Sequence, residues 1–280
     1  MNVAQLERTV CALVAYDGTT FNGFQVQEGV DTIQGTLETA LAQVTGQFCR
    51  ITGSGRTDTG VHARGQVVTA AVPWQHPLDA LSRAWNHFLP PSVLVRCVTE
   101  APDGFHPRFS ATSRTYSYTV YCPVGSTRAP WTHFPTLDRY AVIEPYPLDL
   151  EAMNAASAVL VGEHDFATFG QPPQGEVTIR RVDEMMWQSF AQTPELAQIA
   201  LQKMVFTVTA NAFLRRMVRN LVGTLLAVGR SMWTVDDVVA ALASCDRSKS
   251  AAPAPPQGLV LERVAYQLYP QLFIDCSPVA

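Results

Sequence analysis

The chain has 280 residues, 47% of them hydrophobic, which is enough to bury a substantial core in one large domain or two of ordinary size. Its formal net charge of −4 excludes a protein coated in basic surface, so any contact with nucleic acid must be local. The sequence contains no apolar run of about 18 residues and its N-terminus lacks a signal-peptide pattern, which predicts a cytoplasmic protein without a membrane span.

The first half of the chain alternates between strand and helix patterns. Thr32 is a suitable N-cap for a helix with apolar residues at helical spacing, and Gly46 is a stop signal. β-rich stretches bounded by turn residues indicate the strands. The predicted elements are strands at 10–18, 48–52, 65–72 and 93–98 and helices at 32–46 and 78–89.

The second half repeats this plan, so each half has a β-α-β-β core. The repeat predicts an α+β fold of two similar halves around a shared sheet. We expect a first domain at 1–104, which carries an aspartate-containing loop, and a second at 105–280. The Pro-rich segment 250–258 predicts a surface loop. The elements predicted in this half are strands at 114–121, 179–187, 203–210 and 259–268 and helices at 148–162 and 213–229.

The segment GSGRTDTGVHARGQV (53–67) concentrates charge among glycines in a chain that uses charge sparingly. Arg56, two residues before Asp58, can pair with it across a tight turn and hold the carboxylate ionised through a charge-assisted bond. Such an arrangement is typical of a positioned nucleophile or base. The alternative is an Asx-turn in which Asp58 bonds its own backbone and Arg56 faces solvent, and composition leaves both open.

Three arginines lie close together near the start of the predicted helix at 213–229. Arg215 and Arg219 are four residues apart and Arg216 and Arg219 are three apart, so they repel by about 0.2–0.5 kcal/mol per pair in an isolated helix. A nearby anion, such as a phosphate or Asp58, would relieve this repulsion. The alternative is a solvated basic face, especially for Arg215 and Arg216, whereas Arg219 lies beside the apolar stripe.

Two tyrosines of the strand at 114–121 are candidates for RNA contact. Tyr116 and Tyr118 point to one face, where they can stack on an unstacked base. Because strand aromatics are more often core, we expect core packing of one of the two. The histidines show no HxxxH pairing and the cysteines no CxxC spacing, so no catalytic metal is predicted.

Seven segments of the chain carry a further pattern, in a fixed order. They are AYDGTTFNGFQVQ (15–27), TIQGTLETAL (32–41), GSGRTDTGVHARGQVV (53–68), FHPRFSATSRTYSY (105–118), GEHDFATF (162–169), NAFLRRMVRNLVG (211–223) and GLVLERVAY (258–266). Together they resemble, in order and spacing, the tRNA pseudouridine synthase A family. The resemblance covers nearly the whole chain, and its GRTDxGVHA core is highly specific.

The resemblance implies an isomerase that converts uridine to pseudouridine at positions 38, 39 and 40 of the tRNA anticodon stem-loop, as a homodimer without metal or organic cofactor. It implies two RNP-like (ferredoxin-like) α+β halves that share one extended, mostly antiparallel sheet with flanking helices, and a basic cleft. By motif, Asp58 matches the catalytic aspartate, and Leu259 or Leu261 falls in the strand that lines the pocket. The residues that match supporting positions are Arg56, Tyr116 and Arg219.

Because the charge balance is acidic, clustered arginines must supply the positive potential of such a cleft. The candidates for RNA-backbone contact are Arg64, Arg114, Arg180, Arg215 and Arg216. Three alternatives stay open: a noncatalytic RNA-binding protein, an N-glycosidase that uses the same carboxylate, and a pseudouridine synthase that acts on other RNA positions. Asp58 can attack C1′, take the C2′ proton or add to uracil C6, and the sequence does not choose among these routes.

Overall fold

A computed structural model of the chain describes residues 7–125, 128–130, 132–172, 175, 177–191 and 200–273. These residues group into two compact units. Those within Met1–Thr112 and Leu261–Ala280 form the first unit, and those within Ser113–Val260 form the second.

The strands of the described chain belong to one sheet. They are β1 (Arg8–Tyr16), β2 (Ile51–Gly53), β3 (His62–Val72), β4 (Val93–Glu100), β5 (Ser113–Pro123), β6 (Val142–Ile143), β7 (Gly162–Asp165), β8 (Ile179–Phe190), β9 (Leu201–Ala210) and β10 (Leu259–Ala265). Their order is β4-β1-β3-β10-β5-β9-β8-β7, with β2 paired to β3 and β6 paired to β5. β1 runs antiparallel to both β3 and β4, and β9 runs antiparallel to both β5 and β8, whereas β6 is parallel to β5. The predicted α+β fold with a large, mostly antiparallel sheet is confirmed.

Helices flank the sheet. Those of the described residues are α1 (Ile33–Thr45), α2 (Leu78–Phe88), α3 (Leu150–Ala158), α4 (Met217–Gly229) and α5 (Val235–Ser244). α1 has the predicted ends: the Thr32 side chain accepts from the Gly35 amide, and Gly46 takes a left-handed φ of 75°. Within the described ranges, no helix is both long and apolar enough to span a bilayer.

In the first unit, the two helices are fastened to each other by a buried tryptophan. Trp85 of α2 is fully buried, and its indole N–H donates to the Leu37 carbonyl of α1 at 3.1 Å. Leu37 and Leu41 are also fully buried, because their spacing places both on the inner face of α1. Each such side chain contributes about 1.5–3 kcal/mol through its burial. α2 packs against β4, and α1 packs against α2 and β2.

In the second unit, α3 is joined to β8 by a reciprocal pair of hydrogen bonds. The Asn154 amide donates to the Trp187 carbonyl at 3.1 Å and accepts from the Trp187 backbone N–H at 2.8 Å. The Trp187 ring is buried 5.1 Å from Phe206 of β9, measured between ring centroids. This polar and aromatic pairing fixes the helix on the sheet.

Several predicted boundaries are wrong. β3 begins at His62 rather than at residue 65, and α3 ends at Ala158, so Gly162 starts a strand instead of ending a helix. α4 begins at Met217 rather than at residue 213, and α5 was not predicted. The segment 250–258 is packed more tightly than a free surface loop, because a side chain on Gly223 of α4 would collide with the carbonyl of Ala252.

Candidate active site

The loop between β2 and β3 carries the aspartate that the sequence singles out. Asp58 is half-buried on this loop, between the buried Thr57 and the exposed Thr59. Arg56 is exposed on the same loop. The Asp58 carbonyl accepts from the Val61 amide at 3.1 Å, which closes a tight turn that leads into β3. Asp58 is therefore partly exposed on this turn, whereas its neighbour Thr57 is buried.

A buried hydrogen-bond network supports this loop from below. The Tyr16 hydroxyl and the Thr57 hydroxyl lie 2.8 Å apart, and the Gln66 amide donates to the Tyr16 hydroxyl at 3.4 Å and to the Gly55 carbonyl at 3.1 Å. The Ser54 hydroxyl donates to the Gln66 side-chain oxygen at 2.6 Å. Burial raises the pKa of Tyr16 to about 12, partly opposed by the hydrogen bonds to Thr57 and Gln66. The phenol therefore stays neutral and hydrogen-bonded at physiological pH.

A second loop, which follows β1, presses against the aspartate loop from the side. The Phe24 amide donates to the Thr57 carbonyl at 3.1 Å. Gly23 has a φ of 86°, and a side-chain carbon there would come within 2.8 Å of the same carbonyl. Gly18 packs directly on the backbone of Val61. Only glycine permits these close approaches, so the turn around Asp58 is held by backbone as well as side chains.

His62 is a residue whose structural importance the sequence reasoning missed. It is buried at the start of β3, and its Nδ1 lies 3.1 Å from the Gly18 amide and 3.2 Å from an Asp17 carboxylate oxygen. The two contacts require different protonation of Nδ1. We favour the Gly18 hydrogen bond, because an amide N–H can only donate and therefore needs an unprotonated Nδ1. His62 thereby joins the end of the loop to the turn after β1.

Tyr16 and Gln66 were also missed. Gln66 lies at the end of the GSGRTDTGVHARGQV segment. A polar residue at the start of a run of strand-forming residues indicates a buried hydrogen bond, so a signal for Gln66 was present. Tyr16 lies next to the predicted turn at the end of β1, and no local feature of the sequence indicated that its hydroxyl reaches Thr57, 41 positions later.

The predicted aromatic and basic residues of the second unit have distinct surroundings. Tyr116 of β5 is half-buried and meets Phe213 edge-on, with ring centroids 5.2 Å apart. Tyr118 is fully buried, and its hydroxyl donates to the Pro255 carbonyl at 2.8 Å, which confirms core packing for one of the two tyrosines. Burial raises the Tyr118 pKa, and the nearby charge of Arg219 partly opposes that rise.

Arg219 is half-buried on α4, beside the Pro-rich segment. Its Nε donates to the Ala254 carbonyl at 2.8 Å, and its own carbonyl accepts from the Ala254 amide at 2.9 Å. These bonds orient the guanidinium. Leu259 and Leu261 of β10 are both buried, with 5% and 1% of their surface exposed.

The arginines predicted to contact RNA fall into two groups. Arg64 of β3 is exposed, with its guanidinium 2.7 Å from the Glu262 carboxylate. Arg114 donates to the Asn211 carbonyl at 2.8 Å. Arg180 donates to the Ile179 carbonyl at 2.6 Å, and burial lowers the pKa of its guanidinium. These three therefore have structural contacts within their own units.

Arg215 and Arg216 are exposed and precede α4 instead of lying on it. The expected repulsion with Arg219 along one helix is therefore wrong. The backbone of Arg215 forms an antiparallel bridge with Gln171, which is incompatible with helical pairing at that position. Arg216 takes a left-handed φ of 63° at the helix start. This conformation is costly for a residue with a side chain.

Within the described residues, no group of three or more His, Cys, Asp or Glu side chains is placed to hold a metal ion.

Comparison with known proteins places the chain among RNA-modifying enzymes. The family model described as tRNA pseudouridine synthase matches residues 12–110 and 156–267. These ranges include Asp58 and Arg219, whereas Tyr116 lies between them. Relatives named tRNA pseudouridine synthase A match most of the chain, as three of them illustrate. The protein of Roseiflexus sp. (strain RS-1) is 39% identical over 92% of this chain and 91% of its own. That of Chloroflexus aurantiacus is 40% identical over 92% and 89%, and that of Brevibacillus brevis is 38% identical over 93% and 100%.

Proposed function

This chain belongs to the tRNA pseudouridine synthase A family, and we propose that it acts at positions 38, 39 and 40 of the tRNA anticodon stem-loop with Asp58 as its catalytic carboxylate. The activity of the family is the isomerisation of uridine to pseudouridine in tRNA. Membership in a family of enzymes argues against the alternative of a noncatalytic RNA-binding protein.

The observation that carries the proposal for Asp58 is the contrast between this residue and its supports. Thr57 is buried and hydrogen-bonded, Gly23 packs against its backbone, and Asp58 is left half-exposed. A reactive carboxylate must be reachable by substrate and yet held in one geometry, because small displacements of a catalytic group are costly in rate. A rigid turn with an accessible carboxylate meets both needs.

The reaction needs little more than a carboxylate and a binding pocket. The bond between ribose C1′ and uracil N1 breaks, the base turns while bound, C1′ joins C5, and the C5 proton is released as N1 regains one. Apart from this proton, which is exchanged with water, no atom enters or leaves. Asp58 in its ionised form can serve each of the three routes, namely attack at C1′, removal of the C2′ proton or addition to uracil C6.

The base must leave its stack to reach Asp58, which costs a few kcal/mol. We propose that contacts to the backbone and the base offset this cost. Tyr116 supplies a ring that can stack on the base, and Arg56 and Arg219 supply positive charge for the carboxylate or the phosphates. Either Leu259 or Leu261 lines the apolar side of the pocket. The arginines assigned to the RNA backbone are Arg64, Arg114, Arg180, Arg215 and Arg216.

The test is tritium release to water from an unmodified tRNA transcript labelled at uridine C5. We expect Asp58→Asn to lose release by at least about a hundredfold, the scale of positioned acid–base catalysis, while it keeps tRNA binding. Asp103→Asn is the matched control, because Asp103 is an exposed carboxylate of the same unit outside the loop. Retained release by Asp58→Asn would reject the catalytic role.

Two further measurements address the finer assignments. Carbodiimide labelling and primer extension on the treated tRNA should report pseudouridine at positions 38 to 40. Modification only at other positions would reassign the enzyme to those positions.

We also propose a cytoplasmic homodimer, as the resemblance implies. Light scattering should then give twice the chain mass of 30.6 kDa, and a monomer at micromolar concentration would contradict the dimer.

A further inference from the structure

The segment between β4 and β5 presents an aromatic ring to solvent. Phe109 is 76% exposed, more than any other phenylalanine in the described ranges. Exposing a phenyl ring forgoes about 1.5–3 kcal/mol of burial. The ring lies in the first unit, outside the aspartate loop and its supports.

The exposure of this ring does not result from a loosely attached segment. Phe105 packs against the Tyr266 ring, with centroids 4.9 Å apart, and the Tyr266 hydroxyl donates to the Pro107 carbonyl at 2.8 Å. At the other end, the Thr112 amide donates to the Ala265 carbonyl at 2.8 Å. Tyr266 is buried. Both ends of the segment are therefore tied to the chain around β10, and the ring is held in place.

The immediate surroundings of Phe109 are aromatic and cationic. The His106 ring lies 4.3 Å from the Phe109 ring at an angle of 32°, and the Arg108 guanidinium carbon lies 5.5 Å from the ring centroid. His106 is itself oriented, because its Nδ1 accepts from the amides of Arg108 and Phe109 at 3.1 and 3.2 Å. A turn closed by Ser110 completes the arrangement, with its amide donating to the His106 carbonyl at 2.9 Å.

We propose that His106, Arg108 and Phe109 form a stacking platform for an unpaired base of the bound tRNA. An exposed aromatic ring beside a guanidinium is the chemistry that binds single-stranded nucleic acid, where the ring stacks on a base and positive charge attracts the backbone. A preformed platform loses little conformational entropy on binding. The proposal rests on tRNA as the substrate class, and it gives a role to three residues of FHPRFSATSRTYSY (105–118) for which the resemblance named none.

A protein partner fits these features less well. The apolar area is one ring, and a stable protein interface needs about 800 Å² on each partner. The guanidinium beside the ring suits RNA, whose backbone carries one negative charge on every phosphate. The observations therefore favour RNA.

The first test is the affinity of Phe109 variants for a fluorescein-labelled, unmodified tRNA transcript, measured by anisotropy. Phe109→Ala should weaken binding by about five- to a hundredfold, the range for loss of one stacked base. Phe109→Tyr should bind as the wild type does, and Phe109→Leu should lose most of the affinity because it is apolar but cannot stack. Equal affinities for the wild type and Phe109→Ala, or for the Leu and Tyr variants, would overturn the platform.

Phe48→Ala provides a matched control. Phe48 is 61% exposed and lies 5.1 Å from the guanidinium carbon of Arg50, but Arg50 also lies 3.4 Å from the buried carboxylate of Glu38. The Phe48 ring also lies next to β2, outside the segment between β4 and β5. We therefore expect Phe48→Ala to bind tRNA as the wild type does. A loss equal to that of Phe109→Ala would mean that exposed rings contribute generally, and it would overturn the specific assignment.

A direct readout of stacking comes from Phe109→Trp. Addition of the tRNA transcript should quench the tryptophan fluorescence of this variant more than it quenches that of the wild type. Equal quenching of the two proteins would contradict stacking.

Light scattering of Phe109→Ala should match the wild-type mass, and a change in mass would instead assign Phe109 to contact between copies. None of these measurements needs turnover. An absence of tritium release from the wild type would therefore reject the proposed function without deciding the platform.

Discussion

The hydroxyl oxygens of Tyr16 and Thr57 lie 2.8 Å apart beneath the turn that carries Asp58. Tyr16 ends β1, whereas Thr57 immediately precedes Asp58, so one hydrogen bond links the sheet of the first unit to the proposed catalytic residue. Gln66 of β3 donates to the same phenol, and Tyr16 is 4% exposed. The position of Asp58 therefore depends on a polar network that is closed to solvent.

Tyr16→Phe should lower both stability and turnover. The variant keeps the ring but leaves the Thr57 hydroxyl and a Gln66 N–H without their partner, at a cost of about 1–3 kcal/mol in the free energy of unfolding. Loss of the hydrogen bond between Tyr16 and Thr57 should reduce kcat of tritium release more than it raises KM, because the Asp58 carboxylate is displaced while most RNA contacts stay. Urea unfolding and steady-state kinetics measure the two effects. Tyr146→Phe, at a partly exposed site of the second unit, is the control and should change neither.

The same phenol predicts a loss of stability at high pH. The folded-state pKa of Tyr16 is raised from 10.0 to about 12, so folding favours the protonated form. Its contribution is fully present below pH 10 and is lost as pH rises toward 12. Between pH 9 and pH 11 this loss amounts to about 1 kcal/mol. Urea midpoints of the wild type should fall more steeply than those of Tyr16→Phe over this range, and parallel curves would contradict the assignment.

Two glycines of the loop after β1 permit a test of close packing against the aspartate turn. Gly23 and Gly29 both have left-handed backbones, with φ of 86° and 75°. A side-chain carbon at Gly23 would come within 2.8 Å of the Thr57 carbonyl, whereas the space around Gly29 is open. Alanine at either site carries the left-handed penalty of about 1–2 kcal/mol. Only Gly23→Ala should also displace the turn and reduce kcat.

Comparison of the two alanine variants separates strain from displacement. Urea unfolding should show both destabilised, with Gly23→Ala the worse, and tritium release should be reduced only in Gly23→Ala. Equal activities in the two variants would show that the turn tolerates a shift at Thr57, and the argument for a rigid Asp58 would fail.

The sequence indicated local features well because their causes are local. The ends of α1 followed from Thr32 and Gly46, whose cap geometries depend on neighbouring residues alone. α5 was missed although its signal was present: Thr234 and Asp237 form a capping box before an apolar run. The information that defines this helix is therefore local.

Other features depended on contacts between distant residues. The start of α4 shifted because Arg215 pairs through its backbone with Gln171, 44 positions earlier, which no local pattern reveals. The support of Asp58 by Tyr16 is of the same kind. The GSGRTDTGVHARGQV segment was prominent in the sequence because it places charged residues among glycines. The pairing of Arg56 with Asp58 stays a prediction.

Arg216 permits a test that separates folding from RNA binding. Its φ of 63° costs a residue with a side chain about 1–2 kcal/mol, whereas glycine adopts it freely but loses about 0.5–1 kcal/mol of unfolded-state entropy. Arg216→Gly should therefore raise the free energy of unfolding by about 0.5–1 kcal/mol, measured in urea. If Arg216 contacts a tRNA phosphate as proposed, the same variant should bind tRNA more weakly and show a salt dependence reduced by about one counterion. Arg216→Gln, which keeps the backbone penalty and loses the charge, should match the weaker binding without the gain in stability. Wild-type affinity in both variants would remove Arg216 from the RNA-binding surface and leave its strained backbone without a role in binding.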